Sequence, residues 1–248
     1  MNRLAGKVAL ITGASQGMGA AHAKMFVHQG AKVILTDIAA ADGKTLASEL
    51  GSNAMFVQQD VSKLEDWRKV LAEGESRFGL VNVLVNNAGV LGPLKGTLEL
   101  KEEEFLRVCA VNQTGVFLGM QAVIPSMLKA GRGSIINISS VAGLVAIYGA
   151  PNLAYVASKF AVRGMSKQVA VEYGAQNIRV NSVHPGFIRT PMMTAATDEG
   201  GGEALKQIPL RRLADPSEVS NLVVFLASDE SSFITATEQV IDGGMVAL

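Results

Sequence analysis

Among 248 residues there are one cysteine, one tryptophan and three histidines, and the formal charges sum to zero. Each scarcity removes a class of explanation. Cys109 alone closes no internal disulfide, and its helical surroundings mark it as a small buried hydrophobe. His22, His28 and His184 are dispersed, and no Cys/His cluster has ligand spacing, so no metal site is expected. A balanced charge gives no electrostatic reason for a nucleic-acid or acidic-membrane partner. No run of 18 apolar residues exists, so no membrane span is expected. Residues 1–7 lack the apolar stretch and cleavage site of a secretory signal, which makes a cytoplasmic location the expectation. Hydrophobic residues still make up 48% of the chain, ample for a large core. One α/β domain over 1–248 is the natural reading, without linker, internal repeat or low-complexity tract.

Apolar runs and helical patterns alternate along the chain. The run 8–11 ends at Thr12-Gly13 and reads as a strand buried on both faces. Similar runs lie at 32–37, 54–58, 81–86, 134–139, 179–184 and 239–241. Helical segments are predicted near 17–29, 41–50, 63–78, 100–129, 153–175 and 215–227, the last starting at Asp215-Pro216. Seven strands joined by helical crossovers predict a doubly wound parallel sheet with helices on both faces.

The first strand runs into Thr12-Gly13-Ala14-Ser15-Gln16-Gly17-Met18-Gly19. Glycines here allow a tight turn, close backbone approach and close helix packing. The helix start that follows offers free N–H groups and partial positive charge to a pyrophosphate. Asp37, with Ile38 beside it, ends the second strand where an acidic residue accepts the hydroxyls of an adenosine ribose. It would repel the extra phosphate of NADP, and no Arg or Lys occupies 14–18 or 38–41. NAD(H) is therefore the expected cofactor. Asp60-Val61 follows the third strand, where an adenine edge would lie. Asn86-Asn87-Ala88-Gly89 follows the fourth, at the crevice where the strand order should reverse.

Tyr155-Val156-Ala157-Ser158-Lys159 puts a phenol and an ammonium on one helix face. An adjacent fixed cation favours the phenolate and makes the tyrosine an acid or base usable near neutrality. Ser139-Ser140 precedes it.

With these motifs, and with Asn112, Asn181, Pro185-Gly186 and Asp242-Gly243-Gly244, the chain resembles the short-chain dehydrogenase/reductase family over essentially its whole length. Within the family it is most similar to NAD-preferring bacterial members that handle secondary alcohols, ketones and hydroxysteroids. The resemblance implies a Rossmann-type sheet and a catalytic set of Asn112, Ser140, Tyr155 and Lys159. In that set Tyr155 is the general acid/base. Lys159 lowers its pKa and holds the nicotinamide ribose. Ser140 bonds the substrate oxygen, and Asn112 keeps a water that links Lys159 to solvent. Tyr155, Lys159, Pro185, Gly186, Ile188 and Thr190 are implied cofactor contacts. Ser140 and Tyr155 are fifteen residues apart, two more than is usual in the family, so the loop 141–154 should reshape the substrate pocket.

Val141, Leu144, Tyr148, Phe187, Met192 and Met193 are candidate pocket residues, and their apolar character suggests a hydrophobic alcohol or ketone. Segment 191–207, with Gly200-Gly201-Gly202, reads as a mobile flap closing on the substrate. A homotetramer is implied by the resemblance and by surplus apolar residues in the two long helices, such as Phe117, Met120, Val169 and Val171. Two other readings compete with the oxidoreductase: a 3-oxoacyl-carrier-protein reductase, which Asp37 disfavours, and a non-catalytic dinucleotide-binding regulator, which would need no Tyr155.

Overall fold

In β1, Val8–Thr12, successive side chains leave to opposite faces. Ala9 and Ile11 enter one apolar cluster, Val8 and Leu10 the other. Both faces are covered, which is why the strand reads as a continuous run rather than an alternation. The computed structural model describes residues 2–146, 149–194 and 202–247. The further strands are β2 (Lys32–Asp37), β3 (Ala54–Gln58), β4 (Val83–Asn86), β5 (Gly133–Ile138), β6 (Ile178–Pro185) and β7 (Glu238–Ile241). They pair in parallel in the order β3-β2-β1-β4-β5-β6-β7, the seven-stranded doubly wound sheet that the sequence predicts. The order reverses between β1 and β4, which opens a crevice at their carboxyl ends.

The helices are α1 (Gly17–His28), α2 (Ala40–Leu50), α3 (Leu64–Phe78), α4 (Glu102–Cys109), α5 (Gly115–Ala130), α6 (Leu153–Tyr173), α7 (Pro191–Thr194) and α8 (Pro216–Ala227). Phe26 of α1, Leu46 of α2 and Val219 and Val223 of α8 cover one face of the sheet. Trp67 of α3, Val123 and Met127 of α5 and Val162 of α6 cover the other. The single helix predicted at 100–129 is instead interrupted by a π-helical turn, Ala110–Thr114. Such turns carry one extra residue and recur at functional sites; this one holds Asn112. Glu102–Ala130 as a whole is long and apolar enough, by length and composition alone, to cross a membrane. In the fold its Val116, Met120, Val123, Ile124 and Met127 are buried with the sheet-facing core. Met120 and Val169 therefore belong to this packing and not to a spare surface, whereas Phe117 and Val171 are exposed.

His22 is fully buried where α1 meets α8, 2.8 Å from Ser220 Oγ, and its Nε2 has no partner. Ser220 Oγ donates to the Pro216 carbonyl, so His22 Nδ1–H is the donor of the pair. Burial lowers the imidazole pKa to about 3. The folded chain thus keeps His22 neutral while the unfolded chain takes a proton below about pH 6.5. Stability is complete above that pH and is lost as pH falls toward 3. The slope is about 1.4 kcal/mol per pH unit, or about 2 kcal/mol by pH 5. Denaturant unfolding at pH 7 and pH 5 should show this loss, and His22→Gln should flatten it.

Candidate active site

Two glycines make the turn after β1 possible. Gly13 has φ 62°, and a Cβ there would lie 2.8 Å from Ala88 Cα. A Cβ on Gly19 would lie 2.1 Å from the Gly13 carbonyl oxygen, so only glycine lets α1 start this close to the turn. Thr12 supplies what the motif alone does not reveal. Its Oγ1 accepts the N–H groups of Asn87 and Ala88, both at 3.0 Å. Asn87 Nδ2 in return donates to the carbonyls of Thr12 and Gly13 at 2.9 and 3.1 Å. The two loops flanking the strand-order reversal are therefore sewn together before any ligand arrives.

Above them lies a cleft of about 530 Å³. Its walls are Gly13 and residues 16–18, 37–39, 59–62 and 87–90, then Arg107 with 110–111, and finally 190–192. The predicted cofactor residues Gln16, Gly17, Met18, Asp37, Ile38, Asp60, Val61, Asn87, Ala88, Gly89 and Thr190 all lie here. Ser15 and Gly19 lie behind the wall, where Ser15 Oγ donates to the Ala39 carbonyl at 2.9 Å. Pro185 and Ile188 are buried, and Gly186 lets its backbone pass close to Asp242.

The walls suit a dinucleotide. Asp37 accepts the N–H groups of Ser15 (3.1 Å) and Ala39 (3.0 Å), one on each oxygen, and each oxygen keeps a lone pair for a ribose hydroxyl. Asp60 is held below the usual carboxylate range, mainly by the Ser62 hydroxyl 2.6 Å away. Trp67 Nε1 pins the Val61 carbonyl at 2.9 Å. Gln59 is buried with both amide atoms unpartnered, and Asn87 Oδ1 is likewise orphaned. Buried polar atoms without partners call for an explanation such as a bound group or water, and both residues line this cleft. Sequence reasoning missed Gln59 and Arg107. Among the described residues Arg107 is the only Lys or Arg in the cleft wall, and it comes from α4, remote in sequence from the glycine turn.

Tyr155 and Lys159 rise from the first turns of α6. Lys159 is 4% exposed, and its Nζ donates to the Ile138 carbonyl at 2.9 Å. That ammonium sits 5.5 Å from the centre of the Tyr155 ring. Burial lowers the Lys159 pKa to about 8. The phenol differs from expectation. Burial pushes Tyr155 above its ordinary value, and a hydrogen bond with Ser140 offsets only part of this. In the free protein the lysine does not bring the tyrosine down, because dehydration disfavours the charged form of both groups.

Ser139 and Ser140 separate cleanly. Ser139 is buried and its Oγ donates to the Lys159 carbonyl at 2.9 Å, fastening β5 to α6. Ser140 is half-buried and meets Tyr155, and its Oγ also accepts the Ala142 N–H at 3.1 Å. His184 Nδ1 lies 2.9 Å from the Ser140 carbonyl, and its Nε2 lies 2.8 Å from Ser182 Oγ. A carbonyl only accepts, so Nδ1 carries the proton and His184 holds the Ser140 backbone in place.

Asn112 is fully buried. Its amide clasps Val90 at both N–H (2.8 Å) and C=O (2.9 Å), and it donates to Ser158 Oγ at 3.2 Å. A Cβ on Gly89 would lie 3.3 Å from Asn112 Oδ1 and 3.6 Å from Lys159 Nζ, so the two side chains flank that glycine. Of the predicted pocket residues, Val141 is buried, Leu144, Phe187 and Met193 are half-buried, and Met192 is exposed on the cleft wall. Tyr148 lies outside the described residues, as do 195–201 of the predicted flap. The flanks of that segment form α7 and a 3₁₀ stretch, Gly202–Gln207.

A family model described as enoyl-(acyl carrier protein) reductase matches residues 13–246. The chain is 35% identical, with a TM-score of 0.94, to the crystal structure of a short-chain type dehydrogenase/reductase from Mycobacterium marinum, over 99% of this chain and 97% of that one. The chain belongs to the short-chain dehydrogenase/reductase family. Members of this oxidoreductase family use nicotinamide dinucleotides, in keeping with the walls just described. A 3-alpha-(or 20-beta)-hydroxysteroid dehydrogenase of Mycobacterium tuberculosis is 49% identical, over 99% of this chain and 91% of that protein. A trans-4-hydroxycyclohexanecarboxylate dehydrogenase of Sinomonas cyclohexanicum is 45% identical, over 99% and 95% respectively. A cyclohexanol dehydrogenase of Acinetobacter is 39% identical, over 98% and 96%.

Proposed function

We propose that this short-chain dehydrogenase/reductase interconverts a hydrophobic secondary alcohol, cyclic or steroidal, and its ketone, with NAD(H) as cofactor. The reading rests on Tyr155 meeting Ser140, with the Lys159 ammonium 5.5 Å from the centre of the phenol ring. The named activities of the relatives on ring alcohols support the substrate class. When bound, the nicotinamide ring takes or gives the hydride. The protein's own groups manage the oxygen. Ser140 Oγ–H donates to the substrate oxygen and orients it. The Tyr155 oxygen receives the hydroxyl proton during oxidation and returns it during reduction. Lys159, anchored on Ile138, supplies positive charge that favours the tyrosinate as it forms. Asp37 would hold the adenosine ribose, and the glycine turn would hold the pyrophosphate at the start of α1.

A panel of secondary alcohols, cyclic ketones and hydroxysteroids, followed by NADH absorbance, tests the reading. Turnover of at least one ring alcohol is expected. Tight NADH binding without turnover across the panel would favour the regulatory alternative.

The active unit is proposed to be a homotetramer with twofold symmetries. Leu106, Phe117 and Phe160 on α4–α6 are 55%, 46% and 39% exposed, apolar surface that closed twofold assemblies commonly cover. Light scattering at micromolar concentration should give about four times the 26.0 kDa chain mass; a monomer would refute it.

A further inference from the structure

The loop that leaves β4, residues 90–95, runs from the cleft wall at Val90 to Asn152, the residue before α6. Asn112 links its first residue, Val90, to Ser158 of α6, and a second side chain ties its next residue to the start of that helix. Asn152 is 9% exposed and makes two side-chain bonds in opposite directions. Its Oδ1 accepts the N–H of Tyr155 at 3.2 Å, which caps α6 at the catalytic residue itself. Its Nδ2 donates to the Leu91 carbonyl at 2.9 Å. The backbones of Asn152 and Lys95 form an isolated parallel bridge, and Lys95 Nζ reaches Glu104 of α4 at 2.6 Å. A cap needs only an acceptor, and Ser or Asp would serve as well. The donor half of Asn152 is therefore surplus to capping, and it is spent on the loop.

We propose that Asn152 is a positioning residue that fixes the loop 90–95 against the start of α6, so that substrate enclosure and the placement of the Tyr155 phenol are set together. The proposal rests on the dehydrogenase reading. Leu91, Gly92 and Pro93 are half-buried on this loop, so the tie holds an apolar segment against the start of α6. The two extra residues between Ser140 and Tyr155 fall in the segment that delivers Asn152.

Asn152→Asp keeps shape and cap but turns the donor into an acceptor facing the Leu91 carbonyl. Asn152→Ser keeps a neutral cap and is too short to reach Leu91. Both should hold NADH, measured by fluorescence titration, within about twofold of the parent. KM for the ring alcohol should rise roughly three- to tenfold, the scale of one lost hydrogen bond. The pH profile should stay in place for Ser and move toward higher pH for Asp, whose carboxylate one turn from the phenol disfavours the tyrosinate. Hydrogen exchange reads the tie without activity: amides of 91–95 should exchange faster in both variants, while Tyr155 and Val156 stay protected. Unchanged KM together with unchanged exchange in 91–95 would overturn the proposal and leave Asn152 a plain cap. Faster exchange in a protein that binds no NADH and turns over no alcohol would sink the dehydrogenase reading and keep the mechanical tie.

Discussion

Tyr155→Phe is expected to lose about 10²–10⁴ of turnover while binding NADH nearly as well as the parent. The ring, its place in α6 and its distance from Lys159 all survive the change; only the proton-carrying oxygen is removed. Ser140 then loses its hydroxyl partner but keeps the Ala142 N–H, so the local backbone should hold. The pH dependence follows from the shifts in the free protein. Tyr155 is raised and Lys159 lowered to about 8, so the pair sheds its first proton in the alkaline range as a coupled unit. Oxidation requires the deprotonated pair, and kcat/KM for alcohol should climb as pH rises through about 8. Ketone reduction requires the proton and should fall over the same span. A Phe variant with undiminished turnover would remove Tyr155 from the mechanism. A pH profile flat from 7 to 9 would show that the pair does not carry the proton.

The order in which these features became legible has a physical basis. Strands such as 32–37 and 54–58 emerged from the sequence with their observed ends, because burial on both faces leaves an uninterrupted apolar run. The glycine turn, Asp37 and the Tyr155/Lys159 pair were legible because each depends on short-range geometry: a turn, a strand end, one helical step. The π turn around Asn112 was not, since an inserted residue leaves apolar periodicity almost unchanged over one turn. Arg107 and Gln59 escaped for another reason. Their relevance arises from the packing of α4 and β3 around one cleft, and nothing in their immediate neighbours signals it. The tyrosine pKa also required the fold, because the neighbouring cation is visible in sequence whereas the dehydration that outweighs it is not.

Asp37 leads to the second large effect, discrimination against NADP(H). Its carboxylate is fixed by Ser15 and Ala39 at the edge of the cleft. A phosphate on the adenosine ribose would approach within a few ångströms of that charge. At about 4 Å and an effective dielectric near 20, like charges repel by about 4 kcal/mol per unit charge pair. Screening by solvent at a half-buried site reduces this, so at least a hundredfold preference for NADH, about 2.7 kcal/mol, is expected in equilibrium titrations. Asp37→Asn should isolate the charge, since the amide oxygen can still accept one of the two N–H groups. The preference should shrink chiefly by tighter NADPH binding rather than weaker NADH binding. Arg107 makes the test discriminating. It lines the same cleft, and it is a cation through which a phosphate could be held despite Asp37. Equal affinity of the parent for NADH and NADPH would overturn the assignment of Asp37. Loss of that NADPH affinity in Arg107→Ala, with NADH unaffected, would then identify the guanidinium as the group that outweighs the carboxylate.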